Sequence, residues 1–257
     1  MDEGVSDSKT IKSVENAIAI MEVIAQTDEI GVTALSDRVG LSKGTVHHYL
    51  TTLSNHDFVE QSAGRYRLGL RSLTYGGIAR EREWVYRVGK DGIDRLAKYT
   101  EQTARLAVER GGYAVTLYQS TADNEPIGDT HLGSREPLYA SATGKVLLSA
   151  MEGDARKRVL DRADREASAP PDRAQLTDEL ADIRRRGIAF DDEDHHDGIR
   201  CVATGLATEA DQLLGAIAVS ASVESIDDET FYETLPQEIR NVAGVIEINT
   251  TYRGWMD

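Results

Sequence analysis

The sequence predicts an α+β protein with an N-terminal winged helix-turn-helix domain, a linker helix and a larger C-terminal α+β domain. Two observations indicate this fold class. Residues 32–67 read as a short helix, a glycine turn, a second helix and a hairpin with a basic tip, the element order of a winged helix-turn-helix. Beyond residue 100, segments with the period of strands alternate with helical segments in mixed order. The predicted domain bounds are 1–69, 70–83 and 84–257.

The composition limits the class of protein. Lys and Arg number 29 against 44 Asp and Glu, which gives a net charge of −15, and arginine outnumbers lysine 22 to 7. This balance indicates a halophilic surface adapted to very high salt, and an ordinary acidic cytosolic protein is the alternative. No stretch approaches the roughly 18 consecutive apolar residues of a membrane span, and acids stand where a signal peptide would be basic. We therefore expect a cytoplasmic protein without membrane contact, and its single cysteine, Cys201, excludes an internal disulfide.

The first domain opens with two amphipathic helices. Thr33 is a candidate N-cap of the second helix, and Gly40 stands where this helix would end. Between them, Leu35 and Val39 are expected to face the core. The first helix would bury one apolar face, made of Val14, Ala17, Ile18, Met21 and Ile24.

The third helix is the candidate DNA-contacting element. Ser42 can cap its N-terminus, and the spacing of Val46, Leu50 and Leu53 predicts a buried stripe. Steps of 100° from Val46 place a second set of residues on the opposite, groove-facing side. This set consists of Gly44, His47, His48, Thr51 and Asn55.

Residue types on this face suit contact with DNA. Gly44 lets the backbone approach a phosphate, while Lys43 and Thr45 add a charge and a hydroxyl. The two histidines, His47 and His48, can bond to base edges or phosphates, and a solvated position or a contact with the wing is the alternative. A metal pair is disfavoured because adjacent helical positions point about 100° apart.

The hairpin that follows forms the wing. Residues 58–61, 62–64 and 65–68 read as strand, turn and strand. Alternation should bury Tyr66 and Leu68 and leave Arg65 and Arg67 outward, where they can touch the DNA backbone or minor groove. A charged hairpin without a ligand is the alternative. Five basic residues oppose two acidic ones over 42–80, so the one useful basic stretch coincides with the third helix and the wing.

The rest of the chain is predicted to alternate between helices and strands, with helices at both ends. A linker helix is expected over residues 70–82, where Gly76 and Gly77 allow a bend, and another helix over 84–99. That second helix should turn Val85, Val88, Ile93 and Leu96 inward. Strands are predicted at 104–108, 115–119, 138–140, 188–191, 202–208 and 214–223. Further helices are predicted at 142–151, around Leu176, Leu180 and Ile183, and at 227–248.

The ordered set of motifs resembles the IclR family of transcriptional regulators. Residues 13–17, 41–46 and 66–69 are similar to the N-terminal half of that family. Residues 137–145, 190–203 and 214–220 resemble its effector domain, which is similar to the GAF fold. The resemblance implies a regulator of catabolic genes that binds double-stranded promoter DNA as a homodimer or dimer of dimers and responds to a small effector. Two positions depart from the pattern: His48, where the family commonly has Arg, and Ala218, where some members have a second serine.

The resemblance also implies the effector site. Its residues are Ala142, Thr143, Asp191, Ile199, Cys201 and Ser220. Ala142, Thr143 and Gly144 open a helix, whose backbone N–H groups favour a carboxylate or phosphate. Asp191 and Ser220 can bond to hydroxyls, and Ile199 and Cys201 form a small apolar wall. An organic acid or sugar acid would suit such a site.

Catalytic, metal and cofactor sites are not expected. His195, His196, Asp191 and Cys201 lie close in sequence, but their spacing matches no common zinc pattern. Ser141 has no nucleophile elbow before it. Two alternatives stay open: an enzyme of metabolism with a DNA-binding appendage, and a DNA-binding protein without an effector.

Overall fold

The computed structural model describes residues 9–122, 130–168, 170–208, 210 and 212–253. The chain forms two compact units that divide between Ala79 and Arg80. The predicted α+β class is confirmed, with a helix-turn-helix in the first unit and an α+β sheet domain in the second. Parts of the predicted domains, residues 1–8 and 254–257 among them, lie outside the described residues.

The first unit is a three-helix core with a small antiparallel sheet. Its elements are α1 (Lys12–Ala25), β1 (Ile30–Gly31), α2 (Val32–Val39), α3 (Lys43–Asn55), β2 (Val59–Ser62) and β3 (Arg65–Leu68). The strands lie in the order β1-β3-β2, so the wing hairpin is joined by the short strand before α2. The buried core consists of Ile20, Ile24, Ile30, Leu35, Val46, Leu50, Val59 and Tyr66.

Three predictions for this unit were wrong in detail. In α1 the core contacts fall on Ile20 and Ile24, whereas Val14 and Ile18 are about half exposed, because the buried face covers only the second half of the helix. Thr33 lies inside α2, since β1 pairs with β3 and leads directly into the helix at Val32. Leu68 is partly exposed, because it ends β3 where the chain turns away at Gly69.

The linker helix, α4 (Arg71–Glu81), has no buried residue. Leu70, Leu73 and Ile78 are 72%, 70% and 50% exposed. Tyr75 stacks on Phe58 within the first unit, at 5.6 Å between ring centroids. The apolar side chains of this segment therefore remain largely exposed to solvent.

The second unit is built on one antiparallel sheet of six strands. Its strands are β4 (Thr103–Arg110), β5 (Tyr113–Ser120), β6 (Arg135–Pro137), β7 (Ile188–Asp192), β8 (Ile199–Ala207) and β9 (Leu213–Ser222), in the order β6-β5-β4-β9-β8-β7. The helices are α5 (Trp84–Thr100), α6 (Ala142–Ala150), α7 (Gly153–Glu166), α8 (Arg173–Arg186) and α9 (Leu235–Arg253), the last preceded by a π-helical turn, Thr230–Thr234.

Two elements of this unit differ from the prediction. Residues 138–140 form a turn, and the strand is 135–137, because Leu138 packs its backbone against the first turn of α6. A Cβ on Gly144 would lie 2.7 Å from the Leu138 carbonyl oxygen, so this approach needs glycine. Helix α7 was not predicted.

The two faces of the sheet differ in residue size. One face packs large apolar side chains, such as Leu106, Val202 and Val219, against α5 and α9. The other face packs against α6 and α8 and carries small residues: Ala114, Ala189, Ala203, Ala216 and Ala218. Because these side chains end at Cβ, α6 can pack close to the sheet.

Candidate functional site

The turn into α3 is built as predicted. Gly40 ends α2 in the left-handed region, with φ of 67°. Ser42 Oγ accepts a hydrogen bond from the Thr45 backbone N–H at 3.2 Å and lies 2.8 Å from Thr45 Oγ1. Ser42 and Thr45 are therefore hydrogen-bonded to each other at the start of the helix, so their hydroxyls have less capacity left to bond to DNA.

The outer face of α3 presents the predicted polar side chains. Lys43, Gly44, His47 and His48 are exposed, while the opposite side of the helix buries Val46 and Leu50. This face therefore offers one cation, an open backbone and two imidazoles.

Thr51 is also exposed on this face, but its hydroxyl bonds to the helix itself. Its Oγ1 donates to the carbonyl oxygen of His47 at 2.8 Å. A contact of Thr51 with DNA would use its methyl group or exchange this bond.

The wing presents Arg65 and Arg67 outward, but each is already paired. Arg65 Nη2 donates to the Glu29 carbonyl oxygen at 2.6 Å, and its Nε lies 3.4 Å from the Glu29 carboxylate. Arg67 donates to Glu60 Oε2 through Nε at 3.1 Å and through Nη2 at 2.8 Å. The positive charge of the wing is therefore largely balanced within the first unit. Glu29 is 36 residues from Arg65, so no local pattern indicates that pair.

A cavity lies between the sheet and the start of α6 in the second unit. The empty space between its walls, together with the open solvent at its mouth, is about 560 Å³. Five of the six predicted effector residues line it: Thr143, Asp191, Ile199, Cys201 and Ser220. The side chain of Ala142 instead packs in the core beside the cavity.

Strand register brings the polar residues together. Ser220 of β9 pairs with Thr103 of β4 on one side and with Cys201 of β8 on the other, and Cys201 pairs with Asp191 of β7. Directly paired residues of antiparallel strands share one face of the sheet. The four side chains therefore form a row across four strands.

Asp191 holds the loop over the cavity. Its Oδ1 accepts the backbone N–H groups of Asp194 at 3.0 Å and His195 at 3.1 Å. Burial raises the pKa of Asp191, although the hydrogen bond from His195 acts in the opposite direction. The carboxylate is thus partly occupied in shaping residues 193–198, which carry His195 and His196 to the cavity wall.

Cys201 fits the predicted apolar wall. Burial raises the pKa of its thiol to about 11, so the neutral thiol is the form present at neutral pH. In the described part of the chain, no group of three or more His, Cys, Asp or Glu is placed to hold a metal ion.

The start of α6 is capped by the chain itself. Ser141 Oγ accepts the Gly144 N–H at 3.3 Å, and the Ser141 carbonyl oxygen accepts the Lys145 N–H at 2.8 Å. The predicted anion cradle therefore has one of its N–H groups, that of Gly144, already occupied. The buried Lys145 ammonium pairs with Glu179 at 2.7 Å.

Two charged residues of the cavity were missed by the sequence analysis. Arg105, on the central strand β4, donates through Nε to Gln119 Oε1 at 2.9 Å and through Nη1 to Ser220 Oγ at 2.7 Å. Glu136, on β6, also lines the cavity and accepts a hydrogen bond from Thr130 at 2.7 Å. Burial lowers the pKa of Arg105, and Cys201 and then Glu136 partly offset that effect. An arginine in the otherwise apolar strand at 104–108 is the signal that could have pointed to this site.

Comparison with known proteins adds independent evidence. The family model described as IclR helix-turn-helix domain matches residues 13–63, and that described as Bacterial transcriptional regulator IclR C-terminal matches residues 81–248. The "Probable HTH-type transcriptional regulator ArcR" of Halobacterium salinarum is 31% identical over 251 residues, 94% of this chain and 95% of that protein.

Solved structures agree in fold. IclR of Thermotoga maritima gives a TM-score of 0.74 at 21% identity, covering 93% of this chain and 99% of that one. An IclR homologue of Microbacterium hydrocarbonoxydans, complexed with 4-hydroxybenzoate, gives 0.73 at 19% identity, covering 91% and 97%. No helix among the described residues is long and apolar enough to cross a bilayer.

Proposed function

Because the chain belongs to the IclR family of transcriptional regulators, we propose that α3 reads promoter DNA and that a small carboxylate in the second unit changes the affinity for that DNA. The observation that carries the first part is the exposed polar face of α3, with Lys43, His47 and His48 opposite a buried stripe. Such a helix, capped at its start and followed by a wing, has the geometry of a recognition helix.

The charge distribution favours contacts with bases over contacts with phosphates. Arg65 and Arg67 are both paired with glutamates, so contact with phosphate requires exchange of an existing ion pair. Nonspecific attraction is correspondingly weak, in a chain of net charge −15. We therefore propose that contacts of His47 and His48 with bases contribute most to affinity.

The cavity supports the effector part of the proposal. It combines the predicted residues Thr143, Asp191 and Ser220 with the half-buried guanidinium of Arg105. A guanidinium suits a carboxylate because its planar donors match the two oxygens. The solved relative that holds 4-hydroxybenzoate also holds a small carboxylate.

Exposed apolar residues support dimerisation. One recognition helix reads only a few base pairs, so proteins of this kind use two half-sites related by symmetry. Leu70, Leu73 and Ile78 on the linker segment, together with Val14 and Ile18 on α1, are at least half exposed. We propose that they are covered in a homodimer, which can pair further into a dimer of dimers.

The regulated genes are proposed to be catabolic, with the protein acting in the cytoplasm and without catalysis of its own. A ligand can act only through different affinities for DNA-competent and DNA-incompetent states. The effector is therefore expected to change the DNA dissociation constant by a measurable factor.

A mobility shift at the promoter of the protein's own gene tests the proposal. The variants are His47→Ala and His48→Ala, with His56→Ala as the matched control because His56 lies at the C-cap of the same helix, away from the face. Loss of a base contact typically costs about 1–3 kcal/mol, so a weakening of roughly 5- to 150-fold is expected for the first two. Equal affinity of all three variants and the unmodified protein would contradict the assignment of this face.

A further inference from the structure

We propose that the effector is an amino acid, with its carboxylate bound by Arg105 and its ammonium group bound by Glu136. This inference rests on the proposed function, because it requires the cavity to be a ligand site. It narrows the ligand class beyond a small carboxylate and departs from the organic or sugar acid that the sequence suggested.

Arg105 stands at the centre of the cavity floor. It pairs with Gln119 of β5 and Ala218 of β9, and its side chain lies on the face that packs against α6. The hydrogen bonds to Gln119 and Ser220 fix the orientation of the guanidinium on the face of the sheet that packs against α6. Ala107, two residues along β4 on the same face, also lines the cavity and ends at Cβ, so it leaves space beside Arg105 for a ligand carboxylate.

Glu136 stands at one side of the same floor. It pairs with Ala114 of β5, and both side chains line the cavity. Glu136 also lines the crevice outside the mouth, where His195 and His196 stack at 4.2 Å between ring centroids. Two strand spacings, about 10 Å in all, separate β6 from β4, and Glu136 lies level with Glu109, four residues along β4 from Arg105. Both side chains nevertheless line the same cavity, and the charge of Glu136 acts on the guanidinium of Arg105.

The charges of the cavity wall favour a ligand with both signs. In the described part of the chain, its lining contains one guanidinium, Arg105, and two carboxylates, Glu136 and Asp191. Asp191 is bonded to two backbone N–H groups, and the nearby Lys145 is balanced by Glu179. Glu136 receives only a hydroxyl hydrogen bond among the contacts described, from Thr130.

A ligand with a carboxylate alone would bring a further negative charge beside Glu136. Between the sheet and α6 such repulsion is weakly screened, even in concentrated salt. An amino acid adds no net charge, and its ammonium group turns the repulsion into an ion pair. Arg135, which precedes Glu136 on β6, stacks on the Tyr113 ring at 4.4 Å and lines the crevice outside the mouth but not the cavity itself.

Isothermal titration of the full-length protein tests this inference. Each of the twenty protein amino acids is titrated in molar KCl at pH 8, where ordinary imidazoles are neutral. The tightest binder is then compared with the 2-hydroxy acid that has the same side chain, so that only the ammonium group differs. The proteins are the unmodified chain, Glu136→Gln, Arg105→Gln and, as control, Glu233→Gln at an exposed position.

We expect the unmodified chain and Glu233→Gln to bind the amino acid at least tenfold more tightly than the hydroxy acid. Glu136→Gln should reduce that preference to less than twofold, and Arg105→Gln should weaken both ligands at least tenfold. Should Arg105→Gln unfold, as judged by circular dichroism, the Glu136→Gln comparison alone decides. Equal binding of the two ligands, or an undiminished preference in Glu136→Gln, overturns the amino-acid assignment and leaves a carboxylate effector standing. Binding of neither ligand class, with no effect on the promoter mobility shift, overturns the effector part of the proposed function as well.

Discussion

Asp191 and Asp192 are neighbours that stabilise the same loop from opposite faces of the sheet. Asp191 points toward the cavity and accepts the N–H groups of Asp194 and His195. Asp192 points toward the other face, where its carboxylate accepts hydrogen bonds from Arg200 at 2.7 Å and Tyr232 at 2.8 Å. The loop over the cavity is thus tied both to its own strand and to the π-helical turn before α9.

The Asp192 contacts should make stability depend on pH. Burial raises the pKa of Asp192, but the bonds from Tyr232 and Arg200 outweigh it and leave the pKa below the usual value. A depressed carboxyl pKa gives stability that is present above the unfolded-state pKa of about 3.9 and lost as pH falls through the folded value. Asp192→Asn should therefore lower the melting temperature at pH 6, and the difference should shrink as the pH falls below about 3.9. A difference that persists at low pH would contradict this account.

Two substitutions at Asp191 should have different effects on the free energy of unfolding. Asparagine keeps an acceptor for the two backbone N–H groups, whereas alanine leaves them unsatisfied, at a cost of about 1–3 kcal/mol. Burial raises the pKa of Asp191, so removing its charge is favourable to folding at neutral pH. We expect Asp191→Asn to keep or raise the free energy of unfolding and Asp191→Ala to lower it in urea denaturation. Equal destabilisation by both would show that the backbone bonds do not matter.

The first turn of α6 should not tolerate a methyl group. A Cβ at Gly144 would lie 2.7 Å from the Leu138 carbonyl oxygen, so Gly144→Ala should destabilise the protein by about 1–3 kcal/mol. Gly244, inside α9, is the control, because nothing lies within 4 Å of its ideal Cβ. Gly244→Ala should instead stabilise by about 0.5–1 kcal/mol through helix propensity. Chemical denaturation of both variants measures the contrast, and effects of the same sign would refute it.

Release of Arg67 should strengthen DNA binding. Glu60→Gln removes its carboxylate partner, so the guanidinium becomes available to a phosphate. One added phosphate contact should steepen the slope of log affinity against log salt by about 0.9. Glu22→Gln, at an exposed position of α1, changes the net charge equally and is the control. If both variants bind alike at several salt concentrations, net charge rather than the Arg67 pair governs affinity.

The exposed linker should respond to a charge on its apolar side. Leu73→Asp places a carboxylate at a position that we expect to be covered in the dimer, so sedimentation velocity should show a shift toward monomer of at least tenfold in the dissociation constant. Thr74→Asp is the control, because it adds the same charge one residue along at another exposed position, and it should leave the dimer unchanged. An unchanged dimer in Leu73→Asp would place the interface elsewhere.

Local features of the sequence were sufficient for most of the fold. The caps at Gly40 and Ser42 and the stripe of Val46 and Leu50 depend on residues a few positions apart, so their pattern indicates them directly. Helix α7 escaped prediction because its sequence is dominated by charged residues, and only Val159, Leu160 and Ala163 are buried.

The cavity was less predictable because long-range pairing assembles it. Arg105 and Ser220 are 115 residues apart, yet strand register and a 2.7 Å hydrogen bond join them. The pairs that neutralise the wing, such as Arg65 with Glu29, have the same origin. Periodicity assigns a residue to a strand and a face, but it does not say which strand lies next to it.

The alanine-rich face of the sheet has a consequence for how ligand choice can evolve. Ala107 and Ala114 line the cavity, while the positions on either side of Ala107 in β4, Leu106 and Val108, belong to the core on the other face of the sheet. A change at one set leaves the other untouched, so the cavity can be reshaped methyl by methyl without loss of the scaffold. Relatives can therefore keep the same fold while their cavities come to bind different ligands.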